Sequence, residues 1–210
     1  MQWEREMKRI KRWIGMLFIL TGILFIGVFL IAIVNQDTSP PSNINKYEKV
    51  KRYEPVLRAE LRKYQLEKYT HVLLALMYQE SRGEGGDPMQ ASESAGLPPN
   101  TIDDPKRSIQ QGVRHFNDVL TYGKEKNVDF PTIIQAYNMG KGYITFVAEH
   151  GKKHNEELAK QFSSIQVKKQ PTVYNCGGDE NNFRYPYCYG DFSYTSKVLA
   201  KVDYMKEADK

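Results

Sequence analysis

"THVLLALMYQESRGEGGDPMQ", residues 70–90, decides how the chain folds and poses its main chemical question. Over 70–81 the spacing predicts a helix: Leu73, Leu76 and Met77 recur three and four apart, and Glu80 extends the same stripe. A carboxyl on an apolar face loses hydration, which disfavours its charged form and raises its pKa. An acid still protonated near neutrality can act as a general acid. The competing reading is a glutamate at the helix C-terminus that turns outward or pairs with Arg82. Gly83, Gly85 and Gly86 then release the chain from helical geometry and can let backbone approach a ligand closely. Asp87 places a second carboxyl seven residues beyond the first. In most glycosidases one carboxyl protonates the leaving oxygen while another activates water or stabilises positive charge.

Outward from this stretch the pattern stays helical. Tyr53, Leu57, Leu61 and Tyr64 form one apolar stripe, Ile109, Val113, Phe116 and Leu120 a second, and Val198, Val202 and Met205 a third. Strand-like alternation is nearly absent and no internal repeat occurs. Asp104 before Pro105 is a helix-start signal, a side-chain cap with proline at the first helical position. Gly123 and Gly140 read as helix stops. The expected fold is therefore mainly α, a single helical domain.

That domain sits behind an apolar leader. Residues 13–34, "WIGMLFILTGILFIGVFLIAIV", are 22 residues without a charge, enough for a helix to cross a hydrocarbon layer of about 30 Å. A secretory signal is the rival, but its apolar region is usually about 7 to 15 residues long and ends near small residues. Here "IVNQDTSPPS" follows, which favours an uncleaved single-pass anchor. The tail 1–12 holds Arg5, Lys8, Arg9, Lys11 and Arg12, and short basic flanks stay cytoplasmic, so the remainder faces outward. Residues 35–46, "NQDTSPPSNINK", read as a linker, and 47–210 as the extracytoplasmic domain. The tail supplies +3 of the formal net charge of +5. The near balance of the exported part offers no concentrated basic face, which argues against nucleic acid as a partner.

Cys176 and Cys188 are the only cysteines. Outside the cytoplasm a disulfide between them is permitted, two free thiols being the alternative. No second cysteine pair or nearby histidine completes a zinc site. His71, His115, His150 and His154 lack metal-ligand spacing, and none is given a role. From 174 to 194, "YNCGGDENNFRYPYCYGDFSY" gathers seven aromatics; they can wall a sugar groove or pack onto the core.

Three motifs in order carry a family resemblance: "QES" at 79–81, "PMQAS" at 88–92 and "QAYNMG" at 135–140. Together they resemble the goose-type lysozyme and lytic transglycosylase superfamily, most closely its small lysozyme-like muramidase branch in Gram-positive bacteria and their conjugative elements. The resemblance covers about residues 50–207 and implies a lysozyme-like helical fold. It implies that Glu80 is the catalytic acid, that Met89 and Gln90 shape the sugar groove, and that Tyr137 and Asn138 stand beside the acid. It also implies that the closing helix "YTSKVLAKVDYM" brings the preceding loop near the cleft. Ser92 and Ser94 line the groove or are ordinary turn residues. Where transglycosylases usually carry Gly-Leu before Met-Gln, this chain has Asp87 and Pro88.

The expectation that follows is a membrane-tethered, outward-facing N-acetylmuramidase that cuts peptidoglycan between N-acetylmuramic acid and N-acetylglucosamine. Glu80 is the acid, Asp87 the carboxylate that positions water, and no metal or organic cofactor is implied. The alternatives are a lytic transglycosylase, which forms anhydromuramic ends without water, and an inactive wall-binding component of an envelope or conjugation machine.

Overall fold

The computed structural model describes Trp3 and residues 42–207, all helix, turn and loop with no strand among them. The helices are α1 (Ser42–Lys51), α2 (Glu54–Arg62), α3 (Thr70–Ser81), α4 (Pro105–Glu125), α5 (Phe130–Met139), α6 (Lys141–Glu149), α7 (Glu156–Lys169) and α8 (Tyr194–Glu207). The expected membrane span 13–34 lies outside the described residues, as do the basic tail apart from Trp3 and residues 35–41. Residues 42–46, read as the end of a linker, are helical and open α1. Among the described residues no helix is long and apolar enough to cross a membrane.

Local chemistry sets the helix starts. Asp104 accepts a hydrogen bond from Lys106 N at 2.9 Å with Pro105 in the first turn, as the sequence signal predicts. Asp129 caps α5 through Thr132 N at 3.1 Å, and Asn155 caps α7 through Leu158 N at 2.8 Å. Gly140 does end α5, with φ +75°. Gly123 does not end α4, which continues to Glu125. It is the contact point of α4 with α5, where a Cβ would meet Ile133 Cγ1 at 2.5 Å.

The three apolar stripes pack into the core as expected, with Tyr53 and Tyr64 only partly buried at its margin, but α3 is apolar nearly all round. Residues from Val72 to Tyr78 are all buried, which makes it the central helix rather than an amphipathic surface one. Helix α8 lies along it, and α5 packs against α4, α6 and α8. A smaller core of Met139, Tyr143, Val147, Ala159 and Phe162 joins α5, α6 and α7, and supports Tyr189 and Phe192 of the loop before α8. Two walls thus rise beside the C-terminal end of α3: the loop 82–104 and the loop 170–193.

Candidate active site

Helix α3 stops one residue after Glu80. Arg82 takes a left-handed conformation, φ 58°, and its N–H bonds Tyr78 O at 3.0 Å. Glu80 is left in the last turn, at a cleft of about 550 Å³. The phenol of Tyr194, at the start of α8, donates to Glu80 Oε1 at 2.5 Å. Loss of water around the carboxyl pushes its pKa up to about 7. The Tyr194 bond works the other way by favouring the anion, and the negative charges of Asp87, Glu93 and Asp191 add to the upward push.

Asp87 faces away from this cleft. It is buried, and its two oxygens accept four hydrogen bonds: Ala91 N at 2.8 Å and Ser108 Oγ at 2.6 Å on Oδ1, Ser92 N at 3.0 Å and Ser92 Oγ at 2.6 Å on Oδ2. A carboxylate offers about four lone-pair sites, so none is left for a water. Burial alone would raise its pKa, but the bonds from Ser108, Ser92 and the backbone of Ala91 and Ser92 outweigh it and hold the value below the usual range. The expected water-positioning role of Asp87 does not fit this geometry. The group instead fastens the loop 87–92 to α4.

The other expected residues divide in the same way. Gln90, Tyr137 and Asn138 line the cleft with Glu80. Gln90 Nε2 donates to Asn100 Oδ1 at 2.9 Å, a bond within the first wall, and Asn138 Oδ1 accepts from Asp191 N at 2.7 Å, which ties the second wall to α5. Tyr137 OH donates to Met89 O at 3.2 Å, and burial raises its pKa well above the ordinary value. Met89 and Ser92 stay out of the cleft. The Met89 side chain is wholly buried against α4, and Ser92 Oγ, besides bonding Asp87, accepts from Ile102 N at 3.0 Å. Ser94 does line the cleft. Two of the three glycines serve the protein's own packing: a Cβ on Gly83 would lie 2.8 Å from Lys49 O, and one on Gly86 2.2 Å from Asp103 Oδ1, whereas Gly85 meets nothing within 4 Å and supplies a left-handed turn at φ +75°.

The opposite wall is the loop closed by the Cys176–Cys188 disulfide, whose Cα atoms are 5.1 Å apart. Tyr174, Arg184 and Tyr189 present it to the cleft. Tyr189 OH donates to Met139 O at 3.0 Å, and Tyr189 N to Ser163 Oγ at 3.0 Å. The aromatics of this loop therefore split: Tyr174 and Tyr189 wall the groove, while Phe183 and Tyr185 are exposed.

Comparison with known proteins places this geometry. The Lysozyme-like family profile matches residues 47–202. The chain belongs to the lysozyme-like family. It is 48% identical over 202 residues to the uncharacterized membrane protein YocA of Bacillus subtilis strain 168, covering 91% of this chain and 90% of YocA. It is 37% identical over 161 residues to the bifunctional muramidase/DL-endopeptidase CwlT of the same organism, spanning 77% of this chain but only 43% of CwlT. Pneumococcal vaccine antigen A of Streptococcus pneumoniae is 36% identical over 169 residues, 78% of each chain. Among solved structures, a protein described as similar to an NLP/P60-family lipoprotein from Staphylococcus aureus Mu50 superposes with a TM-score of 0.63 at 35% identity. That match covers 73% of this chain and 52% of the other.

Within this lysozyme-like domain, sequence reasoning passed over four groups that face the site. Tyr194 is separated from Glu80 by 114 residues, and its signal was an aromatic at the start of the closing helix. His115 projects from α4; its Nε2 donates to Tyr137 O at 2.9 Å, and burial lowers its pKa, which keeps it neutral. Glu93 and Arg184 are cleft-lining charges that no motif marks.

Proposed function

We propose that the protein is a membrane-tethered peptidoglycan hydrolase, an N-acetylmuramidase whose general acid is Glu80. The observation that carries this reading is a carboxyl with a pKa of about 7 at the floor of a polar cleft, within a lysozyme-like fold. A cleft of about 550 Å³ is in the range of small-ligand sites. Near neutrality the acid keeps its proton until a glycosidic oxygen lies within reach, then donates it as the bond breaks. Gln90, Tyr137 and Asn138 hold the sugar, and Asp87 acts at one remove by fixing the loop that carries Gln90. The muramidase in the name of CwlT supports the hydrolytic route, and the membrane in the name of YocA supports the anchor at 13–34, with the domain outside.

A second reading, lytic transglycosylase, draws on a specific observation. With Asp87 turned inward, the remaining carboxylate on the cleft wall among the described residues is Glu93, and the ring-closing route needs no carboxylate to position water. Digestion of purified wall followed by mass analysis of the released muropeptides separates the two. Reducing muramic ends are expected; anhydro ends would replace hydrolysis by transglycosylation, and no release by wild-type protein would remove both.

A further inference from the structure

We propose that Arg184 is a receptor for a carboxylate carried by the glycan, so that the cleft selects acidic, muramic-type strands over neutral amino-sugar polymers. This rests on the glycan-cleaving reading above. Arg184 lines the same cleft as Glu80 and is the one Arg or Lys on its lining among the described residues. Among the described residues its guanidinium hydrogen-bonds only neutral acceptors, Gly190 O at 3.3 Å and Asn182 Oδ1 at 3.4 Å. The acids nearest in sequence are engaged elsewhere: Glu180 Oε1 accepts from Tyr185 OH at 3.3 Å, Asp179 Oδ1 from Asn181 N at 2.9 Å, and Asp191 is taken by Lys197 Nζ at 2.6 Å and by Ser193. The backbone beneath Arg184 is held as well: its N–H bonds Asn182 Oδ1 at 3.1 Å, the disulfide closes the loop around it, and Tyr189 pins the loop to α5 and α7.

A positioned guanidinium that forms no ion pair among the described residues suits a planar anion, to which its N–H fork can donate two parallel bonds. Sugar hydroxyls and acetamido groups have no need of a formal cation. On a muramic strand the matching group is the lactyl carboxylate or, where a peptide is attached to it, a free carboxylate of that peptide.

The test uses the full chain in detergent micelles, with Glu80→Gln to prevent turnover. Three tetrasaccharides are titrated: a peptide-free muramic one, a peptide-bearing one, and the neutral N-acetylglucosamine tetramer. Arg184→Gln is expected to cut the acidic-to-neutral affinity ratio by about tenfold or more and to remove the salt dependence of acidic binding, while Arg184→Lys keeps part of both. The acidic ligand that responds identifies which carboxylate is read. An unchanged ratio in Arg184→Gln, or equal weakening of acidic and neutral ligands, overturns the proposal while leaving the glycosidase reading intact. Failure of the Arg184 protein to bind any of the three overturns both.

Discussion

The phenol of Tyr194 donates to the carboxyl of Glu80 across the contact between α8 and α3, joining residues 114 positions apart. A donor to a carboxylate favours the charged form, so this bond holds the Glu80 pKa below the value burial alone would give. Tyr194→Phe keeps the ring and removes the donor. The alkaline limb of the kcat/KM profile on purified wall is expected to move upward by about one pH unit. Its plateau should fall several-fold, because the carboxyl loses its orienting partner. A profile that keeps its limb in place would detach Tyr194 from the titration.

Glu80 itself ties activity to stability with opposite signs. Its folded pKa, about 7, exceeds that of an unfolded glutamate, so the folded state binds more protons between the two values. Stability is therefore highest below the unfolded value and falls as pH rises through about 7. Glu80→Gln is expected to lower turnover by at least about a hundredfold, and to raise unfolding free energy at pH 8 by on the order of 2 kcal/mol. Little stability gain is expected at pH 4. Denaturant titrations at the two pH values read this directly.

Asp87 predicts the reverse. Its folded pKa is depressed, so its contribution is present above the unfolded value and is lost as pH falls through the folded one. Asp87→Asn replaces one oxygen by an NH2 that faces donors, either Ala91 N and Ser108 Oγ or Ser92 N and Oγ. A loss of about 2 to 4 kcal/mol is expected near neutrality. Activity should fall with it through displacement of Gln90, seen as a raised KM alongside a lowered kcat. A variant as stable as wild type but catalytically dead would return Asp87 to a direct chemical role.

These residues also mark what the sequence makes legible. The 3.6-residue spacing predicts α2, α3, α4 and α8, and the caps at Asp104 and Gly140 hold, because periodicity and capping are local properties. The stripe argument brings Glu80 to an apolar environment, but α3 is buried all round, and Glu80 faces a cleft because the helix ends there. Three of the bonds that turn Asp87 inward come from Ala91 and Ser92 close by in sequence. The fourth comes from Ser108, 21 residues away on another helix, and the packing of that helix over the loop is not legible locally. Tyr194 and Arg184 belong to the site only through packing of distant segments, which no local pattern records.

The disulfide gives the last prediction, because one of its cysteines, Cys188, itself lines the cleft. The crosslink closes a loop with a sequence separation of 12, and Tyr174, Arg184 and Tyr189 all project from that loop or its flanks. Replacing both cysteines by serine restores entropy to the unfolded chain and is expected to cost about 3 kcal/mol in the chain-entropy model. The folded wall keeps its attachments through Tyr189 to Met139 and Ser163, and through Asp191 N to Asn138. Substrate affinity should therefore weaken more than turnover, since the acid and its Tyr194 partner stand on α3 and α8, outside the loop. Reductant should reproduce the double-serine phenotype in the wild-type protein and do nothing further to the variant. The check is KM and melting temperature measured with and without reductant; a change in kcat alone would show that the loop shapes the acid rather than the groove.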